Sequence, residues 1–451
     1  MLVERNRILT ETIKRLMRRG SEQRLAKIVS KVHAADLPSV FSSLSASSQR
    51  RLFRLIRDPE KRAIVISELD EDIGLNIIED LSLSELAEII ENMPSDDSVA
   101  FIRMLRPQTA EAVLGMMEKT ESEEVEGLLR YEDDTAGSIM NPDFIALKED
   151  MTSKEVIESL QSQEYLDVEM PFYIYVVDAN GHLVGVSSLR QLVVEPPARQ
   201  LKDFMARDVI SVTTDMDQEE VARIVARYDF LAVPVVDQDE KMVGIVTVDD
   251  IIDVIREEAT EDILKMAGVG EEFVETKSIV RSTRIRLPWL FASFLGGIVA
   301  IFIIGYFEES LKQVSYLALF IPVIMGMGGN IGIQSSTIVV RGIATGRINI
   351  RHLWSVVSKE LAIGIILGLF YGLILGTLVR FHYSLDALAI SVAIGVLSSM
   401  AVAALVGSFM PMMFARMHID PAVATGPFVT SSIDIISVLI YFQVATILLG
   451  I

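Results

Sequence analysis

Five long apolar segments near the C-terminus constrain the fold of this chain more than any other feature. They cover residues 287–307, 314–340, 361–379, 388–414 and 422–449. An α-helix needs about 20 mostly apolar residues to cross the hydrocarbon core of a bilayer, and each segment reaches roughly that length. The sequence therefore predicts a domain of five membrane-spanning helices over residues 285–451.

Charged residues are concentrated before these segments. The chain carries a formal net charge of −21, yet only six acidic and seven basic residues follow Arg286. Residues 1–286 thus hold a charge of about −22, which disfavours nucleic acid and favours cations as partners. The chain has no cysteine, so thiolate metal sites are excluded and oxygen ligands for Mg²⁺, Ca²⁺ or Mn²⁺ are favoured.

Basic residues also predict the orientation in the membrane. Three arginines precede the first span, and the loops after the second and fourth spans contain Arg341, Arg347, Arg351, Lys359 and Arg416. The opposite loops contain only Lys312 and Arg380. By the positive-inside rule, the N-terminal domains should be cytoplasmic and the spans should cross the plasma membrane. Residues 1–20 lack the apolar core of a signal peptide, which agrees with this orientation.

The soluble part divides into a helical region and a duplication. Apolar residues in 1–135 recur at three- and four-residue spacing between short breaks, which predicts stacked helix pairs in a small superhelix. Residues 174–186 then recur in similar form as 233–245. Each copy has the pattern of two strands joined by a turn, with a helix on either side. This pattern resembles a tandem pair of CBS domains, over 136–201 and 202–255.

The second copy carries a candidate nucleotide site. Its residues 244–250, Gly-Ile-Val-Thr-Val-Asp-Asp, are similar to a CBS stretch that holds an adenosine ribose and phosphate, so Thr247 and Asp250 are candidate ATP-binding residues. The first copy has Ser188 but Gln191 in place of the aspartate. At most one site is complete, and because many CBS domains bind no nucleotide, the alternative of none stays open.

An acidic helix is expected to connect the second copy to the membrane, beginning near Asp249 and continuing to about Lys277, with 256–284 as the connecting segment. Like charges one helical turn apart destabilise a helix by a few tenths of a kcal/mol. A divalent cation held against another acidic surface would reverse this effect; a solvated acidic face is the alternative. The candidate metal ligands of the soluble part are Asp96, Asp97, Asp249, Asp250, Asp253, Glu257, Glu258 and Asp262, and Asp420 at the cytoplasmic mouth of the membrane domain can join them.

Asp434 is the only acidic residue expected well inside a span. A carboxylate at that depth costs about 2.5–3.5 kcal/mol on insertion scales, which favours a role in contacting a cation. A structural aspartate bonded to a neighbouring helix is the alternative. Polar stripes accompany it on the second span (Gly326, Asn330, Gln334, Thr337) and on the fifth (Gly426, Thr430, Asp434, Ser437, Tyr441). We expect both stripes to line a water-filled path near the two-fold axis of a homodimer.

The whole arrangement resembles the MgtE family of magnesium channels. The motifs are Tyr-Glu-Asp-Asp-Thr-Ala-Gly-Ser-Ile-Met at 131–140, Gly-Gly-Asn-x-Gly-x-Gln at 328–334 and Gly-Pro-Phe-x-Thr-x-x-x-Asp at 426–434. The resemblance implies a helical N-terminal superhelix, tandem α/β CBS domains, an acidic connecting (plug) helix and a five-helix transmembrane domain. It further implies a homodimer that conducts Mg²⁺ inward and closes when Mg²⁺ binds the acidic soluble domains. ATP binds the CBS pair in some members.

The resemblance assigns Asp434 to selection of the hydrated ion. The polar and glycine positions expected around it in the pore are Asn330, Gln334, Thr430, Gly426 and Gly329. This chain departs from the family at Ile333, where an asparagine is usual, so ion preference or closure can differ.

The predicted function is therefore magnesium uptake through a regulated membrane channel or transporter. One alternative is an ion-coupled secondary transporter that exports a divalent cation, with Asp434 carrying a proton or sodium ion. A second is a receptor whose helices only anchor it, which the two polar stripes argue against. An enzyme is not expected, since no nucleophile–base pair or catalytic metal motif occurs.

Overall fold

A computed structural model describes residues 2–161, 168, 170–269, 279–424 and 426–450. The chain divides into two compact units, 1–256 and 257–451. The division falls within one helix, α14 (Val248–Met266). We describe each unit separately.

The first unit begins with short helices, as the periodicity predicts. These are α1 (Leu2–Arg18), α2 (Glu22–Val29), α3 (Pro38–Phe41), α4 (Ala46–Phe53), α5 (Pro59–Ser67), α6 (Glu71–Ile78), α7 (Leu83–Ile90), α8 (Ser95–Met104), α9 (Pro107–Leu114) and α10 (Lys119–Leu128). Proline occupies the first turn of α3, α5 and α9, where its missing N–H has no helical partner to lose. Ser82 and Glu85 cap α7 reciprocally. The helical N-terminal domain is confirmed.

Two three-stranded sheets confirm the duplication. The first sheet has the order β1 (Ala146–Lys148), β2 (Tyr173–Val177), β3 (Leu183–Ser188), and the second has β4 (Val212–Thr213), β5 (Ala232–Val236), β6 (Met242–Thr247). The first strand of each sheet, β1 or β4, pairs in parallel with the second, and the second and third strands form an antiparallel hairpin. Val176 pairs with Gly185, and Val235 pairs with Gly244. The helices are α11 (Ser153–Leu160), α12 (Leu189–Val194), α13 (Gln218–Tyr228) and α14.

The second copy shares its apolar core with the N-terminal helices. Buried Phe41 and Ile90 of the helical domain belong to the same cluster as Val233 of β5 and Ile251 and Val254 of α14. The first copy has a core of its own. The acidic start of α14 is therefore held against the N-terminal domain by apolar packing.

The second unit contains five helices long and apolar enough to cross a membrane. They are α15 (Ile279–Tyr306), α17 (Ile321–Ala344), α18 (Leu353–Tyr383), α19 (Asp386–Arg416) and α20 (Pro427–Leu449), with α16 (Glu308–Gln313) and a 3₁₀ turn (Ser315–Phe320) before α17. The spans were predicted correctly in number and order. Two ends were wrong: α14 stops at Met266 rather than near Lys277, with 270–278 outside the described residues, and α18 begins well before residue 361.

Glycines allow α18 and α19 to approach closely. Gly364, Gly368, Gly372 and Gly376 share one buried face of α18. A Cβ on Gly372 would lie 2.6 Å from the carbonyl oxygen of Ala393 in α19. Because that obstacle is backbone rather than a flexible side chain, the two helices would have to separate to admit it.

We expect Gly372→Ala to lower the thermal stability of the detergent-solubilised full-length protein, since overpacking of this kind costs about 1–3 kcal/mol. Gly305→Ala is the matched control, because Gly305 is also helical but has nothing within 4 Å of an added Cβ. The measurement is the midpoint of thermal unfolding. Equal midpoints for the two variants would contradict the close approach of α18 and α19.

Candidate functional site

Asp434 lies about two turns into α20. Its side chain is half-buried, whereas the preceding Ile433 is fully buried against α17. At the start of the same helix, Thr430 Oγ1 donates to the Gly426 carbonyl at 3.4 Å. Gly426 is buried, and a Cβ there would lie 3.7 Å from Gly268, just beyond α14. The start of α20 thus lies close to the end of the acidic helix.

The later residues of the polar stripe predicted on α20 do not line a path. Ser437 is buried and accepts a hydrogen bond from Ser399 Oγ at 2.8 Å. Tyr441 is also buried, and its hydroxyl donates to the Leu317 carbonyl at 3.0 Å. Both side chains hold helices together, so the expectation that they line a water-filled path is wrong. From the sequence we expected polar side chains in a span to face water, whereas these two hydroxyl groups bond to neighbouring segments of the bundle.

The polar residues predicted to form a stripe on α17 lie together on one exposed face of that helix. Asn330, Gln334 and Thr337 are exposed in the single chain, and Gly329 has open space around it. The opposite face carries glycines: a Cβ on Gly328 would lie 3.1 Å from Ile433 Cγ2. One face of α17 therefore packs against α20, while the other keeps amides available to an ion or to a second chain. Ile333, exposed beside Gln334, adds no polar group to this face.

Glu360, a buried carboxylate within a candidate membrane-spanning helix, was missed from the sequence. We expected the span to start at residue 361, but α18 begins at Leu353 and places Glu360 about two turns inside the helix. Its side chain is 5% exposed and accepts a hydrogen bond from Ser335 Oγ at 2.9 Å. Asp434 is therefore not the only acidic residue within the spans. A hydropathy window ends at a charged pair such as Lys359 and Glu360 even where the helix continues.

A second group of charges lies where α14 ends. Burial raises the pKa of Asp262 to about 6; the carboxylates of Asp420 and Glu258 add to the rise, and Arg341 opposes it. Lys265 Nζ lies 2.7 Å from Asp420 Oδ2. The candidate ligands Asp262 and Asp420 thus do approach one another, with an ammonium group already beside Asp420.

Asp97 forms the centre of a third group, within the first unit. Burial raises its pKa to about 6, a hydrogen bond from Ser67 lowers it, and the nearby Glu68, Asp253 and Asp249 raise it further. Helix α8 of the N-terminal domain and α14 therefore bring their carboxylates together. The unfavourable charge between them is the kind that a divalent cation would neutralise.

The remaining candidates have other surroundings. Asp96 is half-buried at the start of α8. Asp250 accepts hydrogen bonds from the backbone N–H and hydroxyl of Thr247, so these two predicted nucleotide ligands are adjacent. Glu257 and Glu258 lie one turn beyond Asp253 on α14. In the first copy, Gln191 Nε2 donates to the Phe204 carbonyl at 2.8 Å, which leaves that amide engaged inside its own domain.

Over the described residues, no three His, Cys, Asp or Glu side chains are close enough to form a metal cage. This does not disfavour magnesium, which commonly keeps several waters and uses one or two carboxylates. The pairs around Asp97 and Asp262 have the donor number and chemistry for such a hydrated ion.

We expect Asp97→Asn to stabilise the metal-free full-length protein by about 3 kcal/mol at pH 7.5. Because the folded-state pKa lies above the ordinary value of 3.8, the folded state binds more protons between about pH 4 and pH 6. The wild type thus loses stability as pH rises through that window, and the advantage of the variant should fall by roughly half at pH 5.

The measurement is thermal unfolding in detergent with a chelator, at pH 7.5 and pH 5. Asp208→Asn, at an exposed position, is the control for a change in net charge. If both variants shift the unfolding midpoint equally at both pH values, burial of Asp97 does not carry the effect. Added Mg²⁺ should stabilise the wild type more than Asp97→Asn.

Family models match most of the chain, and curated relatives match almost all of it. The model described as "MgtE: Divalent cation transporter" matches residues 321–444, the MgtE intracellular N domain matches 32–134, and the CBS domain matches 136–196 and 201–257. Magnesium transporter MgtE of Thermus thermophilus is 35% identical over 98% of both chains. Its namesake from Bacillus subtilis is 32% identical over 96% of this chain and 95% of the relative.

Solved structures resemble the soluble part. The cytosolic domain of the Mg²⁺ channel MgtE in complex with ATP matches with a TM-score of 0.52 and 35% identity, covering 54% of this chain and 99% of that one. The soluble part of a magnesium transporter matches with a TM-score of 0.50 and 33% identity, covering 57% of this chain and 100% of that one.

Proposed function

Because this chain belongs to the MgtE family of divalent cation transporters, we propose that it conducts Mg²⁺ into the cytoplasm down its electrochemical gradient. The observation that carries the proposal is a half-buried carboxylate, Asp434, within a helix that packs on the glycine face of α17. The other face of α17 offers Asn330 and Gln334. One carboxylate with neutral amides suits an ion that retains most of its water.

Two copies of the chain would form the conducting unit. Five helices are few to enclose a water-filled path, and the amide face of α17 is exposed in the single chain. A two-fold axis along the border between α17 and α20 would bring two copies of Asp434 to one path, and Asn330 would face the second chain. The paired carboxylates would repel each other unless a divalent cation lay between them.

Cytoplasmic Mg²⁺ would close this path through the acidic groups of the soluble part. Ions at Asp97, Asp249 and Asp253 would hold the N-terminal domain to α14. Ions at Asp262 and Asp420 would hold the end of α14 to the start of α20, where Gly426 lies close to Gly268. Loss of Mg²⁺ would restore the repulsion at both groups and release the helix. Mg²⁺ would bind the closed state more tightly than the open state, and this difference in affinity would favour closure.

ATP is a further candidate ligand, at Thr247 and Asp250 of the second copy. The adjacency of these side chains supports the proposal, as does a similar cytosolic domain solved with ATP. The first copy contributes no equivalent pair, because Gln191 replaces the aspartate and its amide is bonded to Phe204.

We expect Asp434→Asn to reduce Mg²⁺ uptake into proteoliposomes by at least about tenfold, since loss of one favourable charge contact of about 1.4 kcal/mol changes a rate or affinity tenfold. Asp386→Asn is the control; Asp386 is likewise in the membrane domain but pairs with Arg380. Uptake without sodium and with equal pH on both sides distinguishes a channel from a coupled exporter. Unchanged uptake in Asp434→Asn would refute the proposed path.

Closure by Mg²⁺ is tested by proteolysis of the full-length protein in detergent. We expect cleavage of the soluble part by trypsin to slow when Mg²⁺ is raised to millimolar concentration, because neutralised carboxylates let the domains close. Asp97→Asn combined with Asp253→Asn should remove most of this dependence. Identical cleavage patterns with and without Mg²⁺ in the wild type would contradict the gating mechanism.

A further inference from the structure

Glu360 is a buried carboxylate to which the proposed path assigns no role. It lies on the face of α18 that also carries buried Val357 and Gly364, so it points into the helix bundle rather than toward lipid. Within the part of the chain that the structure describes, its one polar partner is the Ser335 hydroxyl of α17, and no cationic side chain pairs with it. An anion in such a place is costly to bury.

The hydrogen bond from Ser335 to Glu360 joins α17 to α18 at a point where other contacts are apolar. Ser335 is 1% exposed, and the bond measures 2.9 Å. Val339, one turn farther along α17, packs in a small cluster with Leu353 and Val357 of α18. Apolar contacts tolerate small sliding and rotation, whereas a hydrogen bond between a hydroxyl and a carboxylate fixes direction as well as distance.

The same stretch of α17 touches the neighbour of Asp434. Gly332 is one turn before Ser335, and the Ile433 side chain occupies the space that a Cβ on Gly332 would need. Ile433 immediately precedes Asp434. A rotation or shift of α17 would therefore press on Ile433 and move the carboxylate that follows it. The physical connection from Glu360 to Asp434 passes through two side-chain contacts and one helical turn.

We propose that Glu360 is a positioning residue for ion selection. Its carboxylate holds Ser335, fixes the rotation of α17 against α20, and so sets the spacing between Asp434 and the amide face of Asn330 and Gln334. This inference depends on the proposed function, because it assigns the selectivity of that same path. The residue acts through helix placement and does not contact the ion.

Four single variants of the full-length protein, and one double variant, test the assignment; the single variants are Glu360→Ala, Glu360→Gln, Ser335→Ala and Ser336→Ala. Glutamine keeps an acceptor oxygen for Ser335 but removes the charge. Ser336 is a matched control, since it is fully buried on the same helix and its hydroxyl has no hydrogen-bond partner among the described residues. The first readout is the ratio of Mg²⁺ uptake to Ca²⁺ uptake in proteoliposomes.

We expect Glu360→Ala and Ser335→Ala to lower this ratio by about threefold to tenfold, which corresponds to the net value of one hydrogen bond. Glu360→Gln and Ser336→Ala should remain close to the wild type. The double variant Glu360→Ala/Ser335→Ala should be no worse than either single variant, because both remove one interaction. If glutamine is as damaging as alanine, the charge acts directly and the positioning role is wrong.

A second readout does not depend on transport. The chain has no cysteine, so spin labels can be placed at Ile338→Cys on α17 and Ile447→Cys on α20, both exposed. The distance distribution between them should shift or broaden in Glu360→Ala and Ser335→Ala and be restored in Glu360→Gln. Unchanged distances in all variants would overturn the inference. Shifted distances in a protein that conducts no Mg²⁺ would leave Glu360 a positioning residue for α17 alone and would refute both the proposed function and the role in ion selection.

Discussion

Removal of carboxylates from water is the physical constraint on which this molecule depends. Asp97 and Asp262 are raised in pKa chiefly because burial disfavours their charged forms. Neither lies alone, since each has other carboxylates nearby that add to the effect. In the gating that we propose, a divalent cation would favour a closed arrangement of these surfaces, and electrostatic repulsion between the carboxylates would favour their separation.

The membrane domain also buries polar groups, but these are mostly hydroxyl groups that neighbouring helices satisfy. Glycines bring helix backbones together, and serine or tyrosine hydroxyls are then satisfied across the contacts, as Ser399 with Ser437 and Tyr441 with Leu317. Polar groups that help pack the bundle are thereby separated from those left available on the exposed face of α17. The separation explains how a five-helix bundle can be both tightly packed and polar along one face.

Much of the architecture could be predicted from the sequence because it depends on local patterns. The duplicated strands were identifiable from the recurrence of 174–186 as 233–245, and glycines 185 and 244 do occupy equivalent places in the two hairpins. Spans were identifiable by length and apolar content. The excess of basic residues in alternate loops predicted the orientation of the membrane domain.

The rest required three-dimensional contacts. The start of α18 was missed because hydropathy reports side chains, while a helix continues wherever its backbone bonds can form. Glu360 consequently escaped notice. Ser437 and Tyr441 were assigned to a path because their spacing matches that of Asp434, but spacing along one helix does not identify which neighbour satisfies a hydroxyl. Likewise, the approach of Asp97 to Asp249 joins two domains far apart in sequence.

The glycine seam between α18 and α19 has a mechanical consequence. Where backbones touch directly at Gly368 and Gly372, there are few side chains that could switch rotamers to absorb sliding, so these two helices should behave as a stationary frame. Helix α15, whose apolar surface is largely exposed and whose close glycine contact is with Ser431 of α20, lacks such a seam. If the bundle widens, we expect α15 and α20 to move while α18 and α19 keep their positions relative to each other.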